Sequence, residues 1–261
     1  YNNLNKMVDY IEENLDKEID IKKLSQIVGI SFTSLQKIFP LISEISLSEY
    51  IRKRRLTLAG RDLAQNNLKV MDTAIKYGYT SAIAFSRAFN NFHGIKPRDA
   101  KNNKTKLKYY PKLAFKAPLE TVELDYEIIE LEAMTLYGYG IKTNYYEIKK
   151  DAPNLFKKNR ENYPELPHPD YGMTVYESRK LKDNYEYYIL WTKKYHDFKE
   201  IKLEKSRWLK FHISSYKPEE IQAMVKKFYI SFLPTCDYSL KNMPELEYYH
   251  DGITEFLIPI N

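Results

Sequence analysis

The sequence predicts a multidomain chain: an all-α domain in which one helical unit is used twice, then an α+β domain in which a β-α-β-β order is used twice around antiparallel sheet. Three observations predict it. Residues 21–45 recur fifty positions later, and past residue 105 the apolar period changes from three-to-four to two. Charge also divides: residues 1–105 hold 17 Lys/Arg against 11 Asp/Glu, whereas 106–261 hold 24 of each, so the whole net charge of +6 lies in the first part. Tyrosine runs the other way, with 19 of 24 after residue 105. At about 150 residues per domain, 261 residues fit two.

The elements follow in order. Met7, Tyr10, Ile11, Asn14 and Leu15 sit on one face of a helix over residues 4–16. Asp20 caps a short helix carrying Leu24, Ile27 and Val28. Gly29-Ile30-Ser31 makes a turn, and Ser31 caps a third helix with Leu35, Ile38 and Phe39 inward. Pro40 is expected to end that helix early. Ser46-x-x-Glu49 is a capping box for a longer helix using Tyr50, Ile51, Leu58, Ala59 and Leu63. The unit then returns, Ile21 matching Met71, Leu24 Ala74, Ser31 Ser81, Leu35 Phe85, Lys37 Arg87, Phe39 Phe89 and Ile45 Ile95.

Two helix-turn-helix units carrying all the surplus positive charge point to double-stranded DNA as partner, the second helix of each unit entering a major groove. The pattern Ile75-x-x-Gly78-Tyr79-x-x-x-x-x-Phe85-Ser86-Arg87-x-Phe89, followed by Phe92-x-Gly94-Ile95-Lys96-Pro97, resembles the DNA-binding domain of the AraC/XylS family of transcription activators. Tyr50-Ile51 and Arg54-Arg55-Leu56 resemble that family's linker helix. Glu44, Leu47 and Pro40 depart from the pattern in the first copy, and the usual Tyr-Arg ending is absent near Ala100-Lys101. By position, Phe32, Thr33, Gln36 and Lys37 face the groove from the first recognition helix, and Thr80, Ala82, Ile83, Ser86 and Arg87 from the second. Gln36 suits adenine and Arg87 or Lys37 guanine, although Arg87 can equally brace its unit or contact phosphate. Lys53, Arg54 and Arg55 read as phosphate contacts or salt bridges. These features define a DNA-binding domain over 1–105.

Residues 106–120 fall in a basic, proline-punctuated stretch without period and read as a linker. The domain over 121–261 shows strand patterns at Tyr126–Leu131, Met134–Thr143, Met173–Glu177 and Tyr185–Thr192, with a helix at Ala152–Asn162. The order recurs as strand Arg207–Ser214, helix Glu219–Leu233, and strands Leu246–Tyr249 and Thr254–Pro259. Phe232-Leu233-Pro234-x-x-x-Tyr238, Pro244-x-x-Glu247-x-Tyr249 and Phe256-Leu257-Ile258-Pro259 resemble the GyrI-like effector-binding domain, and the domain order resembles the Rob-type regulators. That resemblance implies a small-molecule effector, aromatic or cationic, with Glu247 in an aromatic pocket attracting organic cations. Glu247 and Tyr249, two apart on a strand, share a face. Tyr187, Trp191, Tyr139 and Trp208 are candidate walls, though such residues also simply pack sheets.

Other classes are less supported. Cys236 is the only cysteine, which excludes an internal disulfide or a Cys-based zinc cluster. The histidines His93, His168, His196, His212 and His250 form no metal-binding spacing, and His168 in its proline-rich loop reads as surface. No phosphate loop or nucleophile elbow occurs, so neither catalytic residues nor a cofactor is expected. The competing reading is a GyrI-like hydrolase with Glu247 as general base, fused to a DNA-binding module. A purely architectural DNA binder is a third, expected if the second domain has no cavity. No apolar run reaches membrane-span length, so the expected compartment is the cytoplasm, with RNA polymerase a further possible partner of an activator. The chain opens on Tyr1 rather than Met, as expected where the start is incomplete.

Overall fold

A computed structural model describes residues 2–65, 68–116, 123–176 and 184–261. Helix α1 (Asn2–Glu13) buries Leu4, Met7, Val8 and Ile11, the stripe its three-to-four spacing dictates. Helix α2 (Ile21–Val28) starts where the Asp20 carboxylate accepts from the Lys22 and Lys23 amides at 2.8 and 3.4 Å. Helix α3 (Phe32–Ser43) runs through Pro40 instead of ending there. Proline lacks only its own amide, and its ring crowds the preceding turn. The Pro40 carbonyl still accepts from the Glu44 amide at 3.0 Å. Helix α4 (Leu47–Gln65) opens on the capping box, with Ser46 Oγ accepting from the Glu49 amide at 3.2 Å. Helices α5 (Val70–Lys76) and α6 (Ala82–His93) complete the second copy. Gly94 ends α6 in the left-handed region (φ 78°), and Glu44, its counterpart after α3, takes the same conformation (φ 61°) without glycine's freedom.

The chain forms two compact units, Tyr1–Phe32 with Ile45–Ala117, and Thr33–Glu44 with Pro118–Asn261. Most of α3 therefore packs with the second unit, although the repeat placed it in a domain over 1–105. The core of the first unit sets Phe85 and Phe89 of α6 against Leu56, Ala59 and Leu63 of α4, with Ala74, Tyr77 and Ala100. Much of the stretch expected as a linker is fastened to this unit; residues 117–120 of it lie outside the described residues. The Lys108 amide donates to His93 Nδ1 (3.0 Å), the Tyr110 amide to Thr57 Oγ1 (3.1 Å) and the Leu113 amide to Tyr50 Oη (3.4 Å). Phe115 exchanges two hydrogen bonds with the Asn5 side chain. Residues 107–115 are thus a strap over α1, α4 and α6. His93 Nε2 donates to the Leu56 carbonyl at 3.0 Å, so both ring nitrogens are used by a neutral imidazole, whose pKa burial lowers.

The second unit is built on one eight-stranded antiparallel sheet of β1 (Glu127–Leu131), β2 (Met134–Asn144), β3 (Tyr171–Tyr176), β4 (Asn184–Trp191), β5 (Lys199–Leu203), β6 (Ser206–Ile213), β7 (Glu245–His250) and β8 (Ile253–Ile260). Its order, β1-β6-β8-β7-β3-β4-β2-β5, is two four-stranded halves meeting at β3 and β7. Glu177, expected in β3, lies outside the described residues. Strand β5 escapes the sequence pattern because Lys-Glu-Ile-Lys-Leu is mostly charged; it pairs as an edge along β2. Helix α7 (Ile148–Asn162) accompanies the first half and α8 (Pro218–Lys227) the second. The helix expected to reach Leu233 changes winding after Lys227, passing through a π-helical turn at Phe228–Phe232 and a 3₁₀ turn at Leu233–Thr235. Strand alternation divides the core: Tyr171, Tyr188, Leu190, Trp208, Leu246 and Leu257 cluster on one face, and Leu155 of α7 packs with Tyr187, Ile189 and Trp191 on the other. No helix among the described residues is long and apolar enough to cross a membrane.

Candidate functional site

Directly paired residues of antiparallel strands share a face. The register therefore runs one row across the sheet, from Tyr139 through Ile189, Gly172, Glu247 and Phe256 to Phe211. Glu247 stands at the middle of this row, on the seam between the two halves. It borders a cavity of about 620 Å³ walled by Phe156 of α7, Tyr187, Tyr249, Tyr216 and the proline-rich loop carrying His168. Tyr187 Oη donates to Glu247 Oε2 at 2.9 Å, Tyr249 Oη donates to the same oxygen, and the two hydroxyls lie 3.0 Å apart. Around them His168 stacks between Phe156 and Tyr216, each ring centroid 5.4 Å away, and Tyr249 meets all three rings edge-on.

Gly172 makes this cluster possible. A Cβ there would lie 2.6 Å from the Tyr249 hydroxyl, 2.8 Å from the Glu247 carboxylate and closer still to the Tyr187 hydroxyl. Burial pushes the Glu247 carboxyl above its ordinary range; the Tyr249 and Tyr187 hydroxyls pull it back, and nearby Glu245 pushes it up again. Burial, then the Glu247 charge, drives both phenols well above their usual pKa. Among the described residues no lysine or arginine pairs with Glu247; Arg160 borders the cavity as an exposed residue. The arrangement is an electron-rich chamber with a carboxylate at its base. Among the described residues no three His, Cys, Asp or Glu side chains are grouped to hold a metal ion.

Of the residues expected in the pocket, Glu247, Tyr249 and Tyr187 come together. Trp191 and Tyr139 lie on the same sheet face but behind the cavity, where Trp191 Nε1 donates to the Pro167 carbonyl (3.1 Å) and Tyr139 Oη to Asn159 Oδ1 (2.9 Å). They hold the loop and α7 that form its walls. Trp208 is a correction. It pairs with Pro259, three positions along from the Phe256–Phe211 pair, and that odd offset points it into the opposite core. Sequence reasoning missed Phe156, Tyr216, Gly172 and the ring contacts of His168. A glycine between Tyr171 and Met173 in a bulky strand is the one local signal of close approach.

Helix α6 presents an open face. Ser81 Oγ accepts from the Ile83 and Ala84 amides, leaving Ile83 82% exposed and Arg87 and Thr80 exposed, with Ala82 and Ser86 half-buried. Ile83, Ala84, Arg87, Ala88 and Asn91 line a shallow concavity with Arg52 of α4, a residue not foreseen. Helix α3 differs: Phe32 and Lys37 are buried, Thr33 and Gln36 half-buried. Lys37 Nζ lies 2.8 Å from Glu245 Oε1 and 5.1 Å from the centre of the Tyr176 ring. Arg54 and Arg55 are braces: Arg54 forks onto Glu12 at 2.7–3.1 Å, and Arg55 donates to the Leu15 and Lys17 carbonyls.

Comparison with known proteins matches a helix-turn-helix domain over residues 24–103 and the integron-associated effector binding protein family over residues 127–260. The HTH-type transcriptional activator AarP of Providencia stuartii is 34% identical over 94 residues, 36% of this chain and 70% of AarP. The multiple antibiotic resistance protein MarA of Escherichia coli (strain K12) is 31% identical over 94 residues, 36% of this chain and 74% of MarA. Among solved structures, an integron cassette protein from the mobile metagenome of Vibrio cholerae aligns with 52% of this chain and 95% of its own at 14% identity and a TM-score of 0.44. The chain belongs to the AraC-type helix-turn-helix regulators and, through residues 127–260, to the integron-associated effector-binding family.

Proposed function

We propose that this DNA-binding regulator senses a lipophilic organic cation through Glu247 and acts as an activator. The observation that carries the reading is a recessed carboxylate bordering an aromatic cavity, with phenol hydroxyls and, among the described residues, no lysine or arginine paired with it. Such a carboxylate is poorly solvated. An entering cation supplies the missing countercharge while Tyr187, Tyr249, Tyr216 and Phe156 supply ring faces, each worth roughly 0.5–2 kcal/mol toward a desolvated cation. Because burial raises the Glu247 pKa, cation binding favours the ionised form and expels any proton held there.

On the DNA side, Thr80, just ahead of α6, and Ala82, Ile83, Ser86 and Arg87 on it reach base edges, with Arg52 on phosphate, and Phe32, Thr33, Gln36 and Lys37 of α3 are the second set. The sign of regulation follows AarP, which is named a transcriptional activator, and an activator's work would bring it to RNA polymerase in the cytoplasm.

Titrating the full chain with a fluorescent lipophilic cation and a neutral dye of similar size tests the pocket. Glu247→Gln is expected to weaken the cation about 10–100-fold while moving the neutral dye less than about twofold. Equal affinity of both forms for the cation overturns the reading.

A further inference from the structure

The Glu247 cavity has a neighbour. A second cavity of about 370 Å³ adjoins it, and the two share Ile148, Gln222 and Glu247. Its base is Glu245, which precedes Glu247 by two residues on β7 and points to the same side of the sheet. Tyr145, Tyr176, Tyr185 and Tyr229 surround it, and Tyr229 Oη donates to the Glu245 carboxylate. The chemistry repeats that of the first cavity: a carboxylate, a phenol donor and aromatic walls. The difference is that this one holds a cation, the Lys37 ammonium, 2.8 Å from Glu245 and over the Tyr176 ring. Lys37 and Glu245 side chains are only 8% and 12% exposed, so the pair is shielded, whereas Lys149 and Lys226 border the cavity as exposed residues.

We infer that the second cavity is a cation subsite filled by the protein's own Lys37, and that the unit therefore takes elongated dications, one positive group on Glu247 and the other replacing Lys37 on Glu245. The inference rests on the cation reading of Glu247 and adds the ligand's length and second charge. Two residues of strand set the carboxylates about 7 Å apart, which a five-carbon spacer between two quaternary ammonium groups spans. Exchange of one cation for another leaves the Glu245 carboxylate paired throughout, while the displaced Lys37 ammonium has to turn out to solvent or to a phosphate. Lys37 is also a proposed DNA contact. A dication on Glu245 and DNA on Lys37 each break the same ion pair, so each favours the other.

The test uses the full chain and two probes: pentane-1,5-bis(trimethylammonium) and pentyltrimethylammonium. The readout is the ratio of their affinities in the parent, Lys37→Met, Lys37→Gln and Glu245→Gln. Monocation affinity reports whether the Glu247 pocket is intact in each variant. Freeing the subsite in either Lys37 variant is expected to raise the dication's advantage about tenfold over the parent, and Glu245→Gln to reduce it to about the statistical factor of two. A ratio unchanged in both Lys37 variants, or undiminished in Glu245→Gln, overturns the proposal. Failure of the underlying reading looks different: Glu247→Gln then leaves monocation affinity unchanged.

Discussion

In the helical unit the buried Arg54 guanidinium is enclosed by partners: two oxygens of Glu12 and the Tyr110 carbonyl. Asp62, also buried, has the Lys76 ammonium at 2.7 Å and the Tyr77 hydroxyl at 2.8 Å. In the sheet unit the Glu247 carboxylate has two phenol hydroxyls and an open cavity. The difference separates two uses of a buried charge. A charge enclosed by protein partners, as Arg54 and Asp62 are, ties elements of the fold together. A charge given neutral donors and a cavity leaves room for a cation from outside, which is the role proposed for Glu247.

The sharpest way to break this comparison is to remove a partner from the complete set. Arg54→Met is expected to lower stability by about 3–5 kcal/mol, because it takes the countercharge from the Glu12 carboxylate, leaving it the Tyr50 hydroxyl as a neutral donor. A denaturant midpoint equal to the parent's would show that the enclosure does no structural work. Gly172→Ala comes next. Its methyl has no room among Tyr187, Tyr249 and Glu247, so a loss of roughly 1–3 kcal/mol and of cation affinity is expected together. Affinity retained in the altered protein would mean that the cluster can rearrange.

Glu247→Gln runs in the opposite direction from Arg54→Met. With the folded pKa raised above the ordinary value of 4.5, the group's contribution is fully present below that value and lost as pH rises through the folded pKa. Without ligand, the variant should exceed the parent by roughly 1 kcal/mol at pH 8 and match it near pH 4. Thermal melts at the two pH values check the sign, and a variant less stable at pH 8 would place Glu247 with the structural charges. The smallest effect compares the two copies of the repeat. Glu44→Gly should stabilise by up to about 1 kcal/mol, since it relieves the left-handed strain that Gly94 avoids. Chemical denaturation reads it.

Much of this was legible in the sequence where the signal is local. Asp20 and Ser46 cap the helices they were expected to cap, Ser81 caps α6 as the match of Ser31, and the alternation in β7 puts Glu247 and Tyr249 on one face. Trp208 was misread because its face depends on the register of β6 against β8 and of β8 against β7, which no pattern within Arg207–Ser214 encodes. The strap was read as a linker for a similar reason. An extended segment with no period gives no sign that its amides will find His93, Thr57, Tyr50 and Asn5, fifteen to 110 residues away. Lys37 was assigned to DNA from its match with Arg87. The match holds in sequence, and the surroundings of α3 add what it does not show, a carboxylate 2.8 Å from that ammonium.

The strap also decides where the helical unit stops. A chain severed after residue 105 would leave the His93 imidazole, the Thr57 hydroxyl and the Arg54 guanidinium each short of a bond they hold here, and would uncover the side of α1 that carries Asn5. Severed after residue 116, the same helices keep every one of those contacts. The helical unit thus runs ten or so residues past its repeat, and its last segment contributes by tying the first helix to the last.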